Sequence, residues 1–264
     1  MNTGLSLFKS RRSPIKLSAN ESALGPSPKA VRSYKSIGKG FIRYPDSDGT
    51  FFRKVLAKKF NLKRDRIILG SGSDQIFELV CKLFLNKGDE VIVPEYSFII
   101  YRIYSRMFGA KVRYAKEENF RPSVQSILNC VNNKTKIVFL VNPNNPTGTY
   151  LDKFEVLELR KKLRSDILLV IDDAYCEYIR DTNYSSGIKL FSKAENVLIT
   201  RTFSKIYGLA GLRVGWGYGS KEIISALNKV KPPFNVSRPA LFAASAAVKD
   251  SLWLNKEIKH VNKW

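Results

Sequence analysis

In the stretch TRTFSKIYGLAGLRVGW, residues 200–216, Lys205 closely follows two hydroxyl residues, Thr202 and Ser204, and Arg213 lies eight positions further on. A lysine amine has an ordinary pKa near ~10.4 and is almost wholly protonated at neutral pH. To attack a carbonyl it must be neutral, and partial burial or a nearby cation supplies that change. Arg213 is the candidate cation, and Thr202 and Ser204 are candidate ligands for an anion held beside it. The pattern points to a nucleophilic amine next to an anion site. A lysine after a strand, taken alone, is usually solvated.

Four further motifs carry related chemistry. GSGSD (70–74) is a glycine-rich turn entering a helix, where free N–H groups and the helix dipole favour a phosphate. It is neither G-x-G-x-x-G nor a Walker A sequence, and a capped helix start with Ser73 as N-cap reads equally well. PEYSF (94–98) adds an aromatic, Tyr96. NPNNPTG (142–148) has two prolines that stiffen the chain around Asn145, which suits one fixed side-chain amide or a tight turn before a helix. In DDAY (172–175), strand alternation sends Asp172 and Ala174 one way and Asp173 the other. That is a poor paired-carboxylate device. It suits one buried carboxylate facing a cationic ring nitrogen, with Tyr175 beside it, or a loop carboxylate capping an N–H.

These motifs need elements to hold them. Apolar runs predict strands at 66–70, 89–94, 110–115, 136–142, 167–172, 196–200 and 213–219. Helical spacing predicts helices at 73–85, 97–109, 123–131 and 152–163, the last with Asp152 as N-cap. Near-continuous runs such as KIVFLV and ILLVI suit strands covered on both faces. Strand–helix alternation then predicts an α/β fold, a three-layer, mostly parallel sheet with helices on both faces. In open parallel sheets ligands bind outside the carboxyl ends of the strands, where these motifs fall. KPPFNVSRP (231–239) is a break, and the segment beyond it reads as one long helix to Trp264. The first thirty residues, with Pro14, Pro26 and Pro28, read as an extended arm ending at a helix start.

Composition excludes several classes. No stretch has the unbroken apolar length of a membrane span, and MNTGLSLFKSRRSP lacks the features of a signal peptide, so a cytoplasmic protein without a membrane partner is expected. Cys81, Cys130 and Cys176 form no C-x-x-C pair and read as small buried hydrophobes. The single histidine, His260, is expected on a solvated helix face, so His-based triads and metal sites are set aside. The net charge of +22, from 45 Lys+Arg against 23 Asp+Glu, raises nucleic-acid binding. The basic residues are spread along the chain, however, and runs such as RKVLAKKFNLKRDR alternate with apolar residues. They read as lysine-rich outer faces, with a smaller part of the excess left for phosphate-bearing ligands.

Taken together, NPNNPTG, DDAY and TFSK with an arginine eight residues on resemble the fold-type I, pyridoxal phosphate-dependent aminotransferases. KLSANESALGPSPKA, RYPD, GSGSDQIFELV and PEYSFIIY look like the histidinol-phosphate branch of that family. The resemblance runs from about residue 15 to the end. It implies that Lys205 condenses with the cofactor's aldehyde and then serves as the proton-transfer base. Asp172 would pair with the protonated pyridine nitrogen, Tyr175 and Asn145 with the phenolic oxygen, and Tyr96 would stack on the ring. Ser73 and Asp74, through backbone N–H groups, would hold the phosphate with Thr202, Ser204 and Arg213. Tyr44 of RYPD resembles the tyrosine that reaches the partner subunit's cofactor, which implies a homodimer. The implied substrates are an amino donor, glutamate, and a keto-acid acceptor in ping-pong transamination. An aromatic amino acid aminotransferase or a decarboxylase uses the same scaffold.

The same resemblance divides the chain into an arm contributing to a small domain (1–30), a large cofactor-binding domain (31–235) and a connecting helix (236–264). The chain then reads as a truncated member with an incomplete small domain, lacking the segment that carries the family's substrate-gripping arginine. Ser22–Ala23–Leu24 stand where the family has an early tyrosine.

Overall fold

The computed structural model describes residues 16–264, so the first half of the expected arm, including Pro14, lies outside the described residues. Seven strands form one sheet: β1 (Ile67–Gly70), β2 (Glu90–Pro94), β3 (Lys111–Ala115), β4 (Thr135–Val141), β5 (Leu168–Asp172), β6 (Val197–Thr202) and β7 (Gly215–Tyr218). Their order across the sheet is β1-β7-β6-β5-β4-β2-β3. All neighbours pair in parallel except β7, which runs antiparallel to both β6 and β1. The helices are α1 (Pro28–Lys35), α2 (Thr50–Phe60), α3 (Gly72–Phe84), α4 (Ile100–Met107), α5 (Val124–Asn129), α6 (Lys153–Lys162), α7 (Gly187–Phe191), α8 (Lys221–Val230), α9 (Arg238–Ala247) and α10 (Ser251–Lys263). None is long and apolar enough to cross a membrane.

The strand side chains alternate between two cores, as the period of two requires. Ile137 and Phe139 of β4 and Val170 of β5 pack with Phe77 of α3 and Ile224 of α8 on one face. Val138, Leu140 and Ile171 pack with Phe52 of α2, Leu159 of α6 and Leu241 of α9 on the other. Both faces are therefore dry, which explains the near-continuous apolar runs.

Several boundaries differ from the sequence reading. β6 extends to Thr202 because β7 pairs with it through Arg201↔Trp216 and Thr202↔Gly215. The N-cap of α3 is Ser71 and not Ser73, and Gln75 Oε1 reaches back to accept the Ser71 N–H at 2.9 Å. Asp152 caps α6 as expected, in a full capping box with Glu155. The expected single C-terminal helix is two helices. The chain breaks at Val248–Asp250, where Val248 enters the core and the buried Asp250 carboxylate turns to Lys29 of α1 at 3.3 Å. His260 is half-buried on α10. Cys81 and Cys176 are buried and Cys130 half-buried, all as free thiols.

Gly208 lies in the loop joining β6 to β7, with φ +66°. A Cβ there would strike the backbone of Gly25 and Pro26, so this glycine seats the arm on the loop. Gly211 has no such role, since a Cβ there meets open space. Gly208→Ala is expected to cost at least about 1–2 kcal/mol from the left-handed backbone alone. Gly211→Ala is expected to be neutral or stabilising by roughly 0.5 kcal/mol. Urea midpoints of the two variants check this contrast.

Candidate active site

Because β1, β2, β4, β5 and β6 point the same way, their carboxyl ends share one edge of the sheet. β7 runs the other way, so its start lies at that edge too. A cavity of about 820 Å³ opens there. Asp74, Tyr96, Asn145, Asp172, Tyr175, Thr202, Ser204, Lys205 and Arg213 all line it. Two of the sequence-predicted residues do not. Ser73 is buried at the start of α3, its backbone nitrogen filling the place a Cβ on Gly215 would take. Tyr44 stands 79% exposed at the surface, stacked on Phe234 with ring centroids 4.6 Å apart.

Lys205 is half-buried, and its Nζ donates to the carbonyl oxygen of Ala19 at 2.9 Å and sits 5.5 Å from the Tyr175 ring centroid. Burial pushes its pKa down, against the opposing pull of Asp74, Asp172 and Glu21. Arg213 adds a smaller lowering. The expected arginine effect is thus present but secondary to desolvation. Arg213 takes a left-handed backbone, φ 49°. Its guanidinium donates to Ser204 Oγ at 3.1 Å and pairs with the Asp74 carboxylate at 2.9 Å. It fills the space a side chain on Gly72 would need. The Asp74 carboxylate contact was not anticipated, the sequence reading having assigned only its N–H.

The two acids of DDAY diverge as alternation requires. Asp172 is buried and accepts hydrogen bonds from Tyr101 Oη (2.6 Å), Thr200 Oγ1 (3.2 Å) and the Ala174 N–H (3.1 Å). Burial raises its pKa to about 6 against these bonds. Asp173 faces away, accepts the Gly187 N–H at 3.1 Å, and is raised by burial to about 7. Beyond it, buried Arg201 pairs with Glu177 at 2.6 Å behind the turn that carries Tyr175.

Sequence reasoning missed Tyr101, which held a place within PEYSFIIY but read as an ordinary helix residue. It also missed Asn20, whose Nδ2 donates to Tyr175 Oη at 3.1 Å and ties the arm to the site. Arg102, a third basic residue on the cavity wall, went unassigned as well. No spacing signal links Tyr101 to Asp172, since sheet order alone joins them.

A lysine, a buried carboxylate and an arginine-bearing anion cradle thus share the carboxyl edge of one sheet. The family model for aminotransferase class I and II matches residues 12–263. Two curated relatives are histidinol-phosphate aminotransferases. That of Pelagibacter ubique (strain HTCC1062) is 53% identical over 249 residues, 94% of this chain and 69% of the relative. That of Maricaulis maris (strain MCS10) is 42% identical over 251 residues, 95% of this chain and 69% of the relative. The crystal structure of histidinol-phosphate aminotransferase from Sinorhizobium meliloti, in complex with pyridoxal-5'-phosphate, superposes with a TM-score of 0.89 at 26% identity. It covers 93% of this chain and 67% of that one. The chain belongs to the class I and II aminotransferase family.

Asp172 and Asp173 both keep protons in the folded chain at pH values where an unfolded carboxyl, near 3.8, has lost them. Through these two groups the folded state binds more protons, so their contribution to stability is full below about 4 and is lost as pH rises through about 7. In the cofactor-free protein, Asp173→Asn is expected to flatten this fall. Its carbonyl can still accept the Gly187 N–H, and urea midpoints at a series of pH values between 5 and 8 check the slope.

Proposed function

We propose that the chain catalyses pyridoxal phosphate-dependent transamination of histidinol phosphate with 2-oxoglutarate, giving imidazole-acetol phosphate and glutamate. The carrying observation is the convergence of Lys205, Asp172, Asn145, Tyr175 and Arg213, from three separate stretches, on one cavity. The names of the relatives support the substrate. In this reading the enzyme is cytoplasmic and homodimeric, with an arm (1–30), a large domain (31–235) and a connecting segment (236–264) leading to a small domain.

The donor set fits the cofactor. Asp74 at the start of α3, Thr202, Ser204 and the Arg213 guanidinium line one part of the cavity, and Arg213 packs on Gly72, where a side chain would collide with it. These are N–H, hydroxyl and guanidinium donors, the set a phosphate monoester requires. Across the cavity the buried Asp172 offers a carboxylate to a ring N–H, and a cation there would draw its proton off. Asn145 and Tyr175 would hold the phenolic oxygen, and Tyr96 the ring face.

When bound, the cofactor supplies an aldehyde and an electron-accepting ring. Lys205 Nζ, moved towards its neutral form by burial, would be the amine that meets that aldehyde and would move the proton at the substrate Cα. Tyr101 and Thr200 hold the Asp172 carboxylate in place, where it would face the ring nitrogen. Residues 18–20 of the arm close one side of the cavity, Asn20 holding Tyr175 in place. Tyr44, exposed on its own subunit, would reach the phosphate of the partner's site.

Added pyridoxal phosphate is expected to give a near-visible absorbance band that borohydride abolishes. Lys205→Ala should lack that change and slow the glutamate half-reaction by roughly 10²–10⁴-fold. A folded wild-type sample with no band would refute the reading. Tyr44→Ala should leave a dimer in sedimentation but weaken cofactor affinity, measured by equilibrium dialysis, roughly tenfold for one lost charge-assisted hydrogen bond.

A further inference from the structure

Glu257 of α10 is 0% exposed, and no other carboxylate among the described residues is covered as completely. A buried carboxylate is ordinarily paired with a cation or held by several donors. Asp250 has Lys29, Glu177 has Arg201, and Asp172 is held by Tyr101, Thr200 and the Ala174 N–H. Glu257 forms no ion pair among the described residues. Its Oε1 accepts a hydrogen bond from Ser22 Oγ of the arm, and its Oε2 has no partner there. The reading above gives this carboxylate no duty.

Ser22 is set up to donate to it. The Ser22 hydroxyl oxygen accepts the Gly25 N–H at 2.9 Å, which leaves the single hydroxyl proton for Glu257. A hydrogen bond to a carboxylate is roughly twice as strong as one between neutral groups. Residues 16–26 form no helix or strand, so contacts of this kind decide where the arm lies. At the cavity the arm bonds through Ala19 to Lys205 and through Asn20 to Tyr175. Away from the cavity, Ser22 bonds to Glu257 and Gly25 to Trp253, both on α10. Ala19 lies three positions before Ser22, a reach of at most about 11 Å. A shift at Ser22 is therefore passed on to Ala19. Lys205 responds to that cover, since burial leads the lowering of its pKa. The charges that act on it most are Asp74, Asp172, Glu21 and Arg213, so Glu257 reaches it through the arm and not through its field.

We propose that Glu257 is a positioning residue for Lys205. Its carboxylate holds Ser22, and through Ser22 it sets the arm so that Ala19 and Asn20 cover the Lys205 amine and the Tyr175 hydroxyl. This rests on Lys205 being the reactive amine, as given under Proposed function.

The test reads Lys205 in the full chain without cofactor. Its acylation rate is followed by mass spectrometry across a pH series, with the exposed Lys58 as internal reference. The wild-type midpoint is expected below the ordinary lysine value of 10.5. Glu257→Leu removes the bond together with the orphaned carboxylate. Its urea midpoint should be kept or raised, while the Lys205 midpoint moves up towards 10.5. Glu257→Gln keeps an acceptor for Ser22 and should match the wild type. Glu257→Asp, one methylene short, should behave as Glu257→Leu. Ser22→Ala should give the same Lys205 shift, and adding it to Glu257→Leu should give no further one. After loading with pyridoxal phosphate, Glu257→Leu should slow the glutamate half-reaction roughly ten- to hundredfold through the misplaced amine. A folded Glu257→Leu or Ser22→Ala with the wild-type Lys205 profile, or with the wild-type half-reaction, overturns the proposal. So does a wild-type profile in Glu257→Asp with a shifted one in Glu257→Gln, which marks a direct effect of the charge. A wild type with no borohydride-reducible band refutes the reading under Proposed function and leaves the labelling result standing.

Discussion

β7 pairs antiparallel with β6 on one side and β1 on the other, and this reversal returns the chain to the edge it has just left. The loop between Thr202 and Gly215 therefore begins and ends at the same place, fixed by their direct pairing and by the Phe203 N–H bond to the Val214 carbonyl. Lys205 enters that loop and Arg213 leaves it. The eight-residue interval is the path length of the loop. The same strand sets β1 beside β6 at one remove, which brings the start of α3 to Arg213. Had β7 been parallel, its start would lie at the opposite edge and the anion cradle could not form.

Within the site, desolvation outweighs the individual ion pairs. Burial leads the shifts of both Lys205 and Asp172 and moves each towards its neutral form, even though they attract one another. The Arg213–Asp74 pair is partly exposed, and such pairs contribute about 0–1 kcal/mol. It yields readily to a stronger anion. The Arg201–Glu177 pair is different. It is buried behind the Tyr175 turn, where loss of one partner costs about 3–5 kcal/mol. The protein thus keeps its firm electrostatics behind the wall and its exchangeable electrostatics inside the cavity.

Much of this was legible from residue order. Runs such as KIVFLV could only be two-faced strands, and the motifs after them had to share an edge once the sheet was parallel. Tyr101 was not legible, because its partner Asp172 is 71 residues away and only the sheet order β5-β4-β2 sets α4 over it. A glycine near a turn suggests backbone freedom, yet at this turn Arg213, not Gly211, takes the left-handed conformation. The break at Val248–Asp250 was hidden because no proline or glycine marks it. The cause is tertiary, an ion pair to α1. Asn20 escaped notice because the arm has no periodicity, and only its landing place reveals it.

The arm joins the two ends of the described chain. Ala19 and Asn20 touch Lys205 and Tyr175, while Ser22 bonds to Glu257, and the carbonyl of Gly25 accepts from Trp253 of α10. A ribosome delivers the arm long before its α10 anchors. The two contacts to α10 span more than two hundred positions, so their closure is among the most entropically demanding events in folding. The sheet and its edge can assemble during synthesis, but the anchoring of the arm beside Lys205 waits for α10 to emerge. Until α10 is in place, the arm segment that covers Lys205 lacks these two anchors.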